Sequence, residues 1–225
     1  MEIFSFDLIL RSMPLLAKGA WLTLQILLAA GVLSLVLGSC MGIMTCERLR
    51  QRFRVLPWIL ETFTFILRAV PFYVQLLIVY FVLPDILQID LDAMTASIFA
   101  LGVCSSGYMT QVIRCGINSI PIEQWELAST LGYTTKECVR FVILPQTLRN
   151  ILPAMTNELE ALLKSTAILS SIGLLELTRV GMNIVSREME PLTIYLTLAV
   201  FYIALSGGIT LAARLLERKM NYVNA

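Results

Sequence analysis

The chain contains no histidine. Without an imidazole no Ser-His or Cys-His nucleophile pair can form, and a zinc site would need an unusual ligand set. The five cysteines (Cys40, Cys46, Cys104, Cys115 and Cys138) show no CxxC spacing and read as thiols without a chemical role. There is no GxxxxGKS/T phosphate loop, so the chain does not itself bind ATP in that manner, and no GxSxG nucleophile elbow. Aspartate occurs only at 7, 85, 90 and 92, outside the long apolar runs, which excludes an intramembrane protease of the paired-aspartate kind. Catalysis is not expected, and neither a metal nor a cofactor is called for.

Charge is also scarce. Only 15% of residues are charged, against about a quarter in soluble domains, and the net charge of +1 offers no basic field for nucleic acid. A secretory leader is not expected, because Glu2 and Asp7 stand where a basic start belongs and no small-residue cleavage site follows. What fills the chain is apolar: 57% hydrophobic residues and a mean hydropathy of +0.79. This describes an integral membrane protein, and 225 residues suit a single domain over 1–225.

Crossing the hydrocarbon core takes about 20 apolar residues. Five runs qualify, at 20–45, 57–83, 93–117, 147–172 and 192–215. The first carries Gly31, Ser34, Gly38 and Gly42, small enough for a second helix to approach closely. Residues 4–18 mix Phe, Leu and Ile with Asp7, Arg11 and Lys18, which predicts a short interfacial helix ahead of it. The segment 173–191 is too mixed to cross. Basic residues gather in the loop after the first span (Arg48, Arg50, Arg52, Arg54), around Lys136, Arg140 and Arg149, and at Arg214, Arg218 and Lys219. The loop PDILQIDLD holds three aspartates and no base. Basic loops mark the cytoplasm, which places the N-terminus outside and the C-terminus inside.

Two charges fall deep within spans. Arg68 and Glu158 each lie eleven residues from the cytoplasmic start of their span, a depth of about 16 Å, near the midplane. Such groups face a bundle interior or a water-filled path. One reading is a mid-membrane polar site, with Gln75 on the face of Arg68, Asn157 beside Glu158, and Ser165 and Thr166 further along. The other is a structural salt bridge joining two spans. Glu160 and Lys164, four apart in the favourable order, are expected to satisfy each other. Pro153 is expected to kink the fourth span.

Between the third and fourth spans lies SIPIEQWELASTLGYTTKECVRFVILP, residues 119–145, neither apolar enough for lipid nor loose enough for a linker. It predicts two short helices meeting at Gly132. Pro121 suits a first turn, Gly132 the positive φ past a helix end, and Thr134 with Glu137 a capping box. Ala128 and Gly132 share one face, flat enough for a partner to dock.

At this elbow the sequence resembles a known family. Glu126, Ala128 and Gly132, followed by Ile143, Leu144 and Pro145, look like the EAA signature of ABC importer permeases, with Leu127 where a second Ala is usual. RAVPFYVQLLIVYFVLP, ILPQTLRNILPAMTNE and LLKSTAILSSIGLLELTR resemble permeases of polar amino acid uptake, with Ala69-Val70 in place of the common Gly-Thr. The similarity covers nearly the whole chain from about residue 14.

The resemblance implies an all-α integral membrane protein of five transmembrane helices with a cytoplasmic coupling-helix elbow. It implies a homodimer or a heterodimer with a homologous permease, two cytoplasmic ATP-binding subunits and an extracytoplasmic solute-binding protein. The location implied is the cytoplasmic (inner) membrane. Glu126 would order the elbow, while Ala128 and Gly132 would seat it in the ATPase. Substrate contacts carry over to Asn157 and Glu158. A carboxylate there suits basic amino acids, with glutamine as rival. A scaffold or channel-like subunit that docks a cytoplasmic partner and moves nothing is the alternative. Efflux by the same architecture is the weaker reading, because the elbow resembles importers.

Overall fold

The computed structural model describes residues 5–47 and 55–222. Arg48, Arg50, Arg52 and Arg54 of the basic loop lie outside the described residues, as does Glu2. Helix α1 runs Phe6–Thr45, α2 Leu56–Ala69, α3 Phe72–Leu87 and α4 Ala93–Asn118. The elbow helix α5 is Ile122–Thr130, α6 runs Thr135–Ile172, α7 Leu177–Glu188 and α8 Pro191–Tyr222. Among the described residues no strand occurs.

Helices α1, α4 and α8 are each long and apolar enough to cross a membrane alone. Two bent pairs are long and apolar enough only when taken together, as a broken span or a re-entrant loop: α2 with α3, at 102°, and α6 with α7, at 48°. Counting each pair once gives the five spans expected. Trp21, Leu28, Val32, Val200 and Ile203 are among the large apolar side chains exposed on α1 and α8. The centre is a packed cluster of Ile26, Leu27, Ala30, Leu76, Leu101, Leu163 and Leu169 from four of these helices.

The pairing of α1 with α4 is the most extensive in the molecule. Small residues make it possible, as the sequence suggested: a Cβ at Gly38 would meet the Cβ of Met109 at 2.6 Å. Ser34 uses the same close approach to donate to the Ser105 hydroxyl at 3.0 Å.

Two expectations need correction. Residues 6–18 are not a separate interfacial helix but the first turns of α1. Ser5 caps this helix, and Leu16 and Ala20 bury against Leu177, Ile184 and Ile194, so tertiary packing carries the helix through Pro14. The second span is not straight, because the chain leaves helical φ/ψ at Val70-Pro71. Pro153 lies within the helical run Leu144–Thr166. The irregular turns fall elsewhere, as wide π-turns at Ile78–Val82 and Val139–Ile143. Each ends two residues before a proline, Pro84 or Pro145, in the paired sequences FVLP and VILP. A proline ring clashes with the carbonyl four residues back and offers it no N–H, and a widened turn relieves both.

Candidate functional site

The break at Pro71 builds the site. Proline has no N–H, and the chain turns away, so the last carbonyls of α2 lose their helical donors. Gln75 supplies replacements: its Nε2 donates to Leu67 O at 2.7 Å and to Val70 O at 2.8 Å. The Tyr108 hydroxyl donates to Arg68 O at 3.4 Å. The bend is thus held by side chains from α3 and α4, and its open side becomes one wall of a cavity of about 550 Å³.

Arg68, Pro71, Ser105, Tyr108, Glu158 and Ser165 line that cavity. The carboxylate of Glu158 accepts the Ser105 hydroxyl at 2.7 Å, and Ser105 in turn accepts from Ser34. This file of hydroxyls from α1 through α4 aims one carboxylate oxygen and leaves the other face of the group towards the cavity. Arg68 donates through Nε to Thr64 O at 3.3 Å. Among the described residues no ion pair joins Arg68 to Glu158. The structural salt bridge offered as one reading is therefore not formed. Two opposite charges face a common space instead.

The remaining sequence candidates separate. Ser165 lines the cavity, its hydroxyl donating to Ala161 O at 2.9 Å. Gln75 serves the bend. Asn157 is exposed and off the cavity wall, since one residue's step turns it about 100° from Glu158. Thr166 is fully buried and donates to Leu163 O at 2.6 Å. Glu160 does not pair with Lys164 as expected; it accepts the Thr210 hydroxyl of α8 at 2.6 Å. Ser105 and Tyr108 were missed. The signal was the run Ser105-Ser106-Gly107-Tyr108, polar for the middle of a span. Glu176 was missed as well: fully buried, it caps α7 by accepting from Thr178 N at 2.8 Å and Arg179 N at 2.7 Å.

The elbow is the second candidate region. Pro121 stands at the cap of α5 rather than inside its first turn. Gly132 has φ +83°, and Thr134 forms the expected capping box with Glu137. The elbow has a small core of its own, in which Ala128 (3% exposed) packs with Ile120, Cys138 and Ile143. Ala128 is therefore not on the docking face expected of it; its small side chain lets α5 close onto the start of α6. The outward face carries Leu127, Leu131 and Tyr133, with Leu127 56% and Leu131 69% exposed. The leucine that departs from the signature thus lies on the open side. Glu126 is exposed, and among the described residues no hydrogen bond holds its carboxylate. Leu144 is exposed, and Pro145 sits at the first turn after the wide segment.

The family of binding-protein-dependent transport system inner membrane components matches residues 34–222. The chain belongs to this family. Among its relatives, the arginine transport system permease protein ArtQ of Bacillus subtilis is 32% identical, with 96% of each chain covered. The glutamine transport system permease protein GlnP of Escherichia coli is 31% identical over 96% of this chain and 98% of that protein. The crystal structure of an amino acid ABC transporter with histidines superposes at TM-score 0.84 and 30% identity, covering 96% of this chain and 98% of the other. The methionine transporter MetNI, at TM-score 0.79 and 23% identity over 92% and 97%, shares the fold. The permease is thus a multi-pass inner-membrane transport subunit with the ABC importer fold, and ATP hydrolysis belongs to a separate ATPase. The family implies that ATPase and a binding protein as partners.

Proposed function

We propose that this permease moves polar amino acids inward, basic ones or glutamine first, through the cavity between the α2–α3 bend and Glu158. The observation that carries the reading is the unpaired presentation of Arg68 and Glu158 to one mid-membrane space. A zwitterion needs a cationic and an anionic partner, and these residues supply them: Arg68 for the α-carboxylate, Glu158 for the amino group or a cationic side chain. The arginine and glutamine permeases among the relatives agree with that chemistry.

The permease acts as a pair, with itself or a homologous chain, on two cytoplasmic ATPases. Its N-terminus lies outside and its C-terminus in the cytoplasm, by the distribution of basic loops. The elbow at 119–145 receives the ATPase stroke, and α6, continuous from Thr135, carries it to Glu158. The site then opens alternately to either side by rigid-body rocking. The test is uptake of a panel of labelled amino acids into cells with and without this chain, partners intact. Basic amino acids or glutamine should lose uptake when the chain is absent. Equal uptake of every panel member would overturn the reading.

A further inference from the structure

Behind the cavity wall, a buried serine on α1 reaches the site through a second serine on α4. Ser105 lines the cavity, whereas Ser34, only 1% exposed, stands one step behind it. Ser34 Oγ donates to Ser105 Oγ at 3.0 Å, and Ser105 Oγ donates to Glu158 Oε1 at 2.7 Å. A hydroxyl carries one proton and two acceptor lone pairs. Each serine therefore spends its only proton on the next group in the file. Buried hydroxyls elsewhere in these helices, those of Thr23, Thr45, Ser97, Ser106 and Thr110, donate instead to a carbonyl three or four residues back on their own helix. Ser34 and Ser105 forgo that local bond. They can do so because α1 and α4 lie so close: a Cβ on Gly38 would meet Met109 Cβ at 2.6 Å, and one on Gly102 would meet Leu33 Cδ2 at 2.6 Å.

We propose that Ser34 is a positioning residue for substrate binding: by donating to Ser105 it holds the Ser105 proton on Glu158, and so fixes the carboxylate for the positive group of the transported amino acid. Two effects act together. The bond from Ser34 occupies a lone pair of Ser105 and pins its rotor. Without it, the Ser105 proton is free to turn to the Leu101 carbonyl four residues back, as that of Ser97 turns to Ala93. A hydroxyl that accepts a hydrogen bond is also polarised into a stronger donor. With one oxygen held, the carboxylate presents the other in a single direction, and less side-chain freedom is lost when a cation binds. Ser34 itself touches no substrate and acts through Ser105. This role rests on the reading of Glu158 as the receiver of the substrate's positive group.

The test is a double-mutant cycle on uptake of labelled L-arginine and L-glutamine, in proteoliposomes holding the permease with its ATPase and binding protein. Ser34→Ala should raise the KM of the transported amino acid about fivefold, with kcat changed less than about twofold. In a Glu158→Gln background the same Ser34→Ala should raise KM less than about twofold, because the file no longer ends on a charge. Ser34→Cys keeps a side chain there with a weaker donor, and should raise KM in the same direction by less. Ser97→Ala deletes a buried hydroxyl of α4 that serves only its own helix, and should leave KM as it is. An unchanged KM in Ser34→Ala, beside a raised KM in Glu158→Gln, overturns the positioning role and leaves the proposed function standing. An equal rise from Ser34→Ala in both backgrounds, or the same rise from Ser97→Ala, also overturns it, since helix packing alone would give that result. An unchanged KM in Glu158→Gln, or no uptake of either solute by the parent complex, overturns the proposed function and this role with it.

Discussion

At Gln75 one amide does the work of two lost helical donors. The sequence placed this residue on the substrate path because it lies seven residues after Arg68 on an unbroken helix. The break at Val70-Pro71 removes that periodicity and turns Gln75 back onto Leu67 and Val70. Proline was visible in the sequence; that the chain would bend by 102° there rather than kink slightly depends on tertiary packing. Gln75→Leu leaves two carbonyls without this donor and should destabilise the permease by about 1–3 kcal/mol, measured by unfolding in mixed micelles. An unchanged midpoint would mean that the bend holds itself. Arg68 and Glu158 were legible because charge deep in an apolar run is conspicuous. Ser105 was not, since a serine in a span reads equally well as packing.

Among the elements, the elbow was the most legible. Its capping box and its positive-φ glycine follow from local rules and appear where the sequence placed them, whereas the second of the two short helices expected there is the opening of the long helix α6. What the sequence missed was which face is covered. Ala128 turns inward because Cys138 and Ile143 pack on it, a contact between segments ten and more residues apart. We propose that Leu127 and Leu131, the exposed side chains of that segment, take the docking role instead. Leu131→Glu should leave the permease folded and lower substrate-stimulated ATP hydrolysis in the reconstituted complex; full stimulation would move the docking face elsewhere. Gly132→Trp is a poorer probe of docking. At φ +83° any side chain costs about 1 kcal/mol or more in backbone strain before a partner is met.

The start of α4 gives a pH prediction. Asp92 caps it, accepting from Met94 N at 2.9 Å and Thr95 N at 3.1 Å. The Thr95 hydroxyl and amide hold its carboxyl below the usual carboxylate range. A lowered folded-state value means that the ionised cap stabilises above the unfolded carboxyl's range. That contribution is lost as pH falls through the folded value. Amide exchange at Met94 and Thr95 should quicken on acidification, beyond the intrinsic rate, and Asp92→Ala should quicken it at neutral pH and abolish the pH dependence.

For the whole molecule, composition alone gave the class, the length of apolar runs gave five candidate spans, and charge counting gave their expected orientation. The missing phosphate loop already required energy from another chain, and the family supplies that chain as an ATPase. Less legible were the long-range closures: α1 running unbroken from Phe6 to dock on α7, and the hydroxyl file from Ser34 through Ser105 that aims Glu158. Each depends on residues 50 to more than 150 positions apart meeting, and no local period encodes that. The central claim is that Glu158 receives the positive group of a substrate. It is tested by uptake kinetics of labelled arginine and glutamine in proteoliposomes holding the full complex, with Glu158→Gln against the parent chain. Loss of a charge-assisted contact should raise the KM of the transported amino acid about tenfold or more, with ATPase docking unchanged. An unchanged KM and rate would contradict the claim and leave Glu158 as a structural partner of Ser105.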